Sequence, residues 1–224
     1  MAVGGLCYHV LNRANSRARI FRKDGDYRAF LETTAEACER HEMRLLAYCI
    51  MPNHFHFILW PRGDGDLSAF MQWLMTTHVR RYHRAHGTSG HLWQDRFKAF
   101  ALQDDSHLLT VLRYVERNPL RADLVRRAEA WPWSSLVQRR GDEDWPAIPL
   151  AEGPLPRPAD WIAHVNAAQS AAELEQVRNC IARGRPFGGE RWVARTAPRL
   201  GLPAVLRPRG RPPKERSAPV KVNK

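Results

Sequence analysis

The sequence lacks several features that would place it in other classes of protein. None of its four cysteines forms a Cys-x-x-Cys pair, so a thiolate zinc knuckle or a dithiol redox site is not expected. We predict ordinary buried thiols in a reducing compartment. No apolar run reaches the roughly 18 residues that a membrane span needs, and the first residues do not resemble a signal peptide. We therefore expect a cytoplasmic protein with no membrane partner.

Acidic residues are in deficit. The 224 residues include 23 Asp and Glu against 35 Lys and Arg, a formal net charge of +12. Such an excess makes a polyanion the expected partner, with nucleic acid ahead of an anionic membrane. Arginine greatly outnumbers lysine, which suits bidentate contacts to phosphate or guanine.

Hydrophobic periodicity predicts alternating strands and helices in the first part of the chain. Strands are expected at 6–11, 45–51, 54–60 and 93–102, with 45–51 central because it is almost entirely apolar. Helices are expected at about 24–41, 67–85 and 106–117. This order is that of the split βαβ, ferredoxin-like arrangement. The predicted fold class is α+β, with an antiparallel sheet and helices on one side.

Changes in composition divide the chain into three predicted segments. Residues 1–125 form the main domain, and 126–183 form a connector and a helical region with a helix at 171–183. An aromatic stretch at 131–135 is expected to pack back on the core. Residues 184–224 form a basic extension, whose Arg- and Pro-rich end cannot build a core and is predicted to be partly disordered when free.

Two histidines share one face of the strand at 54–60. Side chains alternate along a strand, so His54 and His56 point the same way while Phe55 and Phe57 form an apolar face. The pair is suited to metal binding. The alternative from this strand alone is two half-buried histidines, each bonded to a neighbour.

A tyrosine and an asparagine lie one turn apart on the helix at 106–117, which Asn118-Pro119 is expected to end. Tyr114 alone could be a residue at the edge of the core. A tyrosine hydroxyl can also act as a nucleophile, but its ordinary pKa is about 10, so attack on a phosphodiester benefits from a cation. His54, His56 and the Asn118 amide oxygen could hold that cation, and such ligands suit Mg²⁺ or Mn²⁺.

These motifs resemble a known family. His54-Phe55-His56 has the form of the HUH motif, and the segment from Tyr114 to Pro119 resembles the catalytic segment of single-tyrosine HUH transposases. More narrowly, the chain is similar to the REP-associated tyrosine transposases. Segments 51–54, 91–98, 114–125, 183–188 and 206–214 carry the similarity. Arg117 departs from the pattern, where a less charged residue is expected.

The resemblance implies a ferredoxin-like HUH nuclease that acts on single-stranded DNA next to hairpins formed by repetitive extragenic palindromes. It assigns the nucleophile to Tyr114, which forms a 5′-phosphotyrosine link and frees a 3′-hydroxyl. It assigns the metal ligands to His54 and His56, with Asn118 as a third. Reversal of the attack rejoins strands without ATP. Both a monomer and a homodimer stay open.

The basic residues predict where DNA is held. The expected phosphate contacts are Arg13, Arg17, Arg80, Arg81, Arg84, Arg96 and Lys98. Trp93 and Phe97 could stack on unpaired bases, although core packing is the alternative for both and is favoured for Phe97. In the tail, Arg207, Arg209 and Arg211 surround an AT-hook-like Arg-Gly-Arg-Pro and are predicted to enter a duplex minor groove. The alternative is a nonspecific basic tail.

Two other functions stay open from the sequence. One is a non-catalytic regulator that binds DNA or RNA with the same fold. The other is a metal phosphodiesterase that uses activated water, with Tyr114 purely structural. The presence of Tyr114, His54 and His56 together favours the tyrosine transposase.

Overall fold

The centre of the fold is a four-stranded antiparallel sheet. The computed structural model describes residues 2–141 and 148–206, the side chains of 205 and 206 excepted. The strands are β1 (Cys7–Arg13), β2 (Arg44–Met51), β3 (His54–Trp60) and β4 (Lys98–Leu102). Their order in the sheet is β2-β3-β1-β4, and every neighbouring pair is antiparallel. The predicted α+β class is confirmed.

Helices cover both faces of this sheet. Helices α1 (Asp24–Arg40) and α2 (Asp66–His86) pack on the face that carries Phe55 and Phe57. Helix α3 (Ser106–Glu116) packs on the opposite face, against β2 and β3. The expectation of helices on one side is therefore wrong. The reason lies in β2, whose side chains are apolar on both faces and so need cover from both sides.

Strand β2 was expected to be central, but it lies at the edge of the sheet. Its outer edge is nevertheless covered. The Ile50 N–H donates to the Trp133 carbonyl at 2.8 Å, and the Ala151 N–H donates to Leu45 at 2.9 Å. The aromatic stretch at 131–135 thus packs back on the core, as predicted. These backbone bonds satisfy groups that an exposed edge strand would leave open to another chain.

Downstream segments complete the fold. The remaining α-helices in the described residues are α4 (Asn118–Arg121), α5 (Ser135–Gln138), α6 (Trp161–Asn166), α7 (Ala171–Arg183) and α8 (Glu190–Arg199). Helix α7 matches the predicted helix at 171–183. Trp161 and Val177 share one hydrophobic cluster with α3. Residues on both sides of the predicted boundary at 125/126 therefore share this core. The three-segment division stays a prediction.

Two predicted boundaries differ from the structure. Strand β4 begins at Lys98 rather than at 93, because the preceding loop is bound to the end of β1 instead of joining the ladder. The Gln94 N–H donates to the Arg13 carbonyl at 2.9 Å, and the Asn12 Nδ2 donates to the Asp95 carbonyl at 3.0 Å.

The second difference is at Asn118-Pro119, which does not end the helical path. Arg117 has helical dihedral angles, and α4 follows at once with proline in its first turn. Proline is tolerated there because the first N–H groups of a helix have no intrahelical partner.

In the described part of the chain, no helix is long and apolar enough to cross a membrane. The predicted minor-groove residues Arg207, Arg209 and Arg211 lie outside the described residues.

Candidate active site

The two histidines of β3 lie on the face of the sheet that α3 covers. Strand β3 is central, paired with β2 on one side and β1 on the other. The ring centroids of His54 and His56 are 5.1 Å apart. His54 is half-buried at the start of the strand, while His56 is only 4% exposed. The predicted pair therefore exists as a pair of neighbouring imidazoles.

Tyr114 is brought to this pair within one chain. Helix α3 starts at a cap in which the Asp105 carboxylate accepts the His107 N–H at 2.8 Å, and its apolar side packs on β2 and β3. The Tyr114 ring centroid lies 6.0 Å from that of His56 and 6.1 Å from that of His9. The structure thus brings a phenol and the histidine pair together in one subunit.

His9 is a member of the site that the sequence analysis missed. It is fully buried on β1, and its Nε2 lies 2.8 Å from Nδ1 of His56. Their rings are stacked, with centroids 5.0 Å apart. Alternation along β1 could have placed His9 on one face. The pairing of β1 beside β3, as expected of a split βαβ arrangement, brings His9 to His56, but the register that puts both rings on one face needed the structure.

The contacts of Asn53 define the protonated nitrogen of His54. The Asn53 amide donates from Nδ2 to the Arg17 carbonyl at 3.1 Å, so its other side-chain atom is the oxygen. That oxygen lies 2.7 Å from His54 Nδ1. Because the amide oxygen can only accept, Nδ1 carries the proton and Nε2 presents a lone pair. This is the tautomer that a metal-binding histidine needs.

Arg121 is a second missed residue. Its guanidinium carbon lies 4.0 Å from the centroid of the Tyr114 ring, and its NH2 donates to Oδ1 of Asn118 at 2.9 Å. The sequence spacing could have identified Arg121, because Tyr114, Asn118 and Arg121 follow the i, i+4, i+7 spacing of one helix face. Asn118 is buried, and its Nδ2 has no partner among the described residues.

Burial keeps the site imidazoles neutral. Burial, together with the charge of Arg121, lowers the pKa of His9 to about 3. Burial and the nearby Arg13 lower the pKa of His54 to about 4. The pKa of His56 is also well below its usual value, because of burial and then its neighbours His9 and His54. Neutral imidazole is the form that binds metal.

The donor set fits a divalent cation in part. Among the described residues there is no group of three or more His, Cys, Asp or Glu with suitable geometry. His54 and His56 are neutral and supply two imidazoles, which leave open positions for phosphate oxygens. Asn118 directs its oxygen to Arg121 and leaves its N–H₂ unpaired. Its role as third ligand stays a prediction that requires the amide to turn over.

All seven basic residues predicted to contact phosphates are exposed, namely Arg13, Arg17, Arg80, Arg81, Arg84, Arg96 and Lys98. Arg13 is paired with His54 across β1 and β3, and so lies at the site. Arg81 is instead held by Glu36 of α1 through two bonds of 2.7 and 2.8 Å. Their contact with DNA stays a prediction.

The prediction that favoured core packing for Phe97 over Trp93 is wrong. Trp93 is only 7% exposed, and its ring packs among Phe21, Phe30 and Phe55. Its ring face is therefore not available for stacking on a base. Phe97, for which core packing was favoured, is the less buried of the two. The reason is that the loop before β4 turns Trp93 into the core.

Residues 2–118, just over half of the chain, match the family model described as IS200-like transposases. The chain belongs to the IS200-like transposase family. The matched region contains both histidines and ends at Asn118, so it includes Tyr114.

A curated relative supports the narrower resemblance. A Haemophilus influenzae protein assigned to the REP-associated tyrosine transposases is 27% identical over 117 residues. The alignment covers 48% of this chain and 66% of that protein, slightly less than two thirds.

Two solved structures are also similar. One is a REP-associated tyrosine transposase bound to a REP hairpin, with a TM-score of 0.54 and 19% identity over 68% of this chain and 89% of that chain. This similarity supports the fold. The other is a Deinococcus radiodurans protein assigned as a transposase, with 18% identity over 51% of this chain and 92% of that chain. Its TM-score is 0.39.

Proposed function

We propose that this IS200-like transposase cleaves and rejoins single-stranded DNA beside a hairpin, with Tyr114 as the nucleophile. The observation that supports this most directly is the position of the Tyr114 ring, 6.0 Å from that of His56 in the same chain. A buried tyrosine beside two neutral imidazoles and a guanidinium is suited to phosphoryl transfer. A purely structural tyrosine needs none of these neighbours.

In the proposed reaction, Tyr114 Oη attacks the scissile phosphorus. The new O–P bond replaces the bond to the 3′ oxygen, which leaves as a 3′-hydroxyl carrying the proton that the phenol gives up. The product is a 5′-phosphotyrosine link. Attack by another 3′-hydroxyl reverses the step and joins two strands, so the bond energy is conserved.

His54 and His56 would hold Mg²⁺ or Mn²⁺ through Nε2, and the ion would withdraw charge from the phosphate. Asn53 and His9 each bind the other ring nitrogen of one of these histidines, which orients the imidazoles. Arg121, which is positively charged and lies over the Tyr114 ring, can stabilise negative charge on the phosphate.

Asn118 offers two possible roles at the phosphate. The family resemblance assigns it as a third metal ligand. Its unpaired Nδ2 equally suits donation of a hydrogen bond to a phosphate oxygen. Either role keeps this residue at the reacting group.

The proposed substrate is DNA with a REP-type hairpin, acted on in the cytoplasm. The name of the curated relative and the hairpin-bound structure are consistent with this substrate. The net charge of +12 favours a polyanion. Because one chain holds both the tyrosine and the histidines, a monomer is sufficient, and a homodimer is not required. We assign minor-groove binding of the stem to Arg207, Arg209 and Arg211.

The test is incubation of a hairpin with single-stranded flanks and either Mg²⁺ or Mn²⁺, followed by denaturing electrophoresis. We expect a covalent protein–DNA adduct that is absent in Tyr114→Phe, which keeps the ring packing. Cleavage that survives in Tyr114→Phe would support an activated-water phosphodiesterase. Hairpin binding without any cleavage would support a non-catalytic regulator.

A further inference from the structure

The protein has a recess that is distinct from the candidate active site. It is a cleft of about 640 Å³ between α2 and the loop that precedes β4. We call it the α2 cleft. Its inner surface is largely apolar and includes Met71, Met75, Trp93 and Phe97. A flat, largely apolar ligand with a few polar atoms matches such a surface.

Trp93 lines the α2 cleft beside the two methionines and Phe97, and it is only 7% exposed. Its Nε1 is buried, so a ligand in the cleft contacts this wall through apolar surface rather than through a hydrogen bond. A nucleobase supplies a flat face that matches such a surface.

The rim of the α2 cleft carries positive charge. Arg80 and Arg96 both line it and are exposed, and neither has an ion-pair partner in the described part of the chain. The next residue on α2, Arg81, is by contrast paired with Glu36. Asp95 is also on the rim, where its carboxylate can accept from the amino group of a base. This combination fits a nucleotide, with phosphates at the arginines and the base inside.

The α2 cleft lies next to the candidate active site but opens on the other face of the sheet. Asn12 lines the cleft, and its neighbour Arg13 is paired with His54. Along a strand these two residues are only about 3.3 Å apart and point to opposite faces. A DNA strand that passes over this end of β1 can therefore place a phosphate at the histidines and a nearby base in the cleft.

We propose that the α2 cleft binds one unpaired nucleobase of the DNA strand close to the scissile phosphate. This rests on the proposed function, because the ligand is the same DNA. The bases of a duplex are stacked and paired, so the cleft selects for single-stranded DNA at this point. It adds a base-binding site to a centre that otherwise recognises only phosphate.

The test combines a filled cleft with abasic DNA. Thr76 lines the cleft and is exposed on α2, so Thr76→Trp fills the recess without disturbing the core. Ala69→Trp, on the same helix and also exposed but outside the lining, is the matched control. The affinity of each protein is measured by fluorescence anisotropy for a hairpin with single-stranded flanks. The same hairpin is then used with an abasic site at each flank position in turn.

We expect one abasic position to weaken binding of the unaltered protein and of Ala69→Trp by about tenfold, the size typical of losing one stacked base. Thr76→Trp should bind the intact hairpin about tenfold more weakly. An abasic site at that position should not change the affinity of this variant further. Arg96→Gln should weaken binding more than Arg62→Gln, which removes the same charge from an exposed residue after β3.

The cleft proposal is overturned if Thr76→Trp shows the same affinity and the same abasic sensitivity as the unaltered protein. Equal sensitivity at every flank position also overturns it. Formation of the Tyr114 adduct is measured on the same DNA. If the adduct forms but Thr76→Trp does not change DNA affinity, only the cleft proposal is rejected. If Thr76→Trp changes DNA affinity but no adduct forms, only the proposed catalysis is rejected.

Discussion

His9 and His56 lie on neighbouring strands, and 2.8 Å separates Nε2 of the first from Nδ1 of the second. One of these two nitrogens must carry the shared proton. If His56 donates, its own Nε2 is free to bind a cation; if His9 donates, His56 carries a proton on Nε2 and cannot bind one. The partner of His56 therefore determines whether the histidine pair is competent for metal binding.

Replacement of His9 should alter metal affinity. We expect His9→Leu to weaken Mn²⁺ binding by about 10- to 100-fold, the effect typical of losing a residue that orients a ligand. His9→Gln should retain most of the affinity, because its amide oxygen can accept from His56 Nδ1. Isothermal titration with Mn²⁺ measures both variants, and equal affinity of His9→Leu and the unaltered protein would contradict the prediction.

Arg121 should contribute to the chemical step more than to DNA binding. It lies over the Tyr114 ring and binds Asn118 Oδ1. We expect Arg121→Gln to slow adduct formation by about a hundredfold, because an electrostatic contact to the reacting phosphate is lost. Arg121→Lys keeps the charge but not the planar fork, and should slow it by about tenfold.

Single-turnover assays with saturating hairpin separate these rates from affinity. The dissociation constant should change by less than about threefold, as expected for one of several phosphate contacts. A rate that is unchanged in Arg121→Gln would remove this residue from the active site.

Glu116 should be important for stability. It is fully buried on α3, and its carboxylate accepts hydrogen bonds from Ser135 Oγ and Trp161 Nε1, each at 2.6 Å. Glu116→Ala would leave Trp161 Nε1 unpaired and Ser135 Oγ with only its longer bond to the Tyr48 carbonyl, at 3.2 Å. We therefore expect the free energy of unfolding to fall by about 3 kcal/mol. Glu175→Ala, an exposed glutamate of α7, should change it by less than about 0.5 kcal/mol. Urea denaturation measures both, and similar losses would argue against this role.

Stability should decrease in mild acid. Burial lowers the pKa of His78 to about 3, against the opposing effect of Asp26 and with smaller contributions from His83 and His86. The unfolded state has the ordinary pKa of about 6.5 and so binds the proton first. The stabilisation is therefore complete above pH 6.5 and is lost as the pH falls toward 3.

The measurement is urea denaturation at pH 7 and at pH 5. One such histidine accounts for about 2 kcal/mol of the stability lost between these values, and His78→Leu should remove that share. His91→Leu, which replaces an exposed histidine, is the control. An unaltered pH dependence in His78→Leu would show that this histidine is not buried in its neutral form.

Local features of the structure could be predicted from the sequence. The bounds of α7, the common face of His54 and His56, and the one-turn spacing of Tyr114 and Asn118 all follow from the repeat of a strand or a helix. Backbone geometry determines that repeat residue by residue, so nearby positions are sufficient to establish it. The same spacing, applied one turn further, would have found Arg121.

The tertiary structure alone decided which side chains meet across those elements. The register of β1 on β3 brings His9 to His56, and packing places α3 across that face while Trp93 turns into the core. These contacts join residues far apart in the chain. Their free energy comes from burying surfaces that fit one another, which local periodicity does not describe.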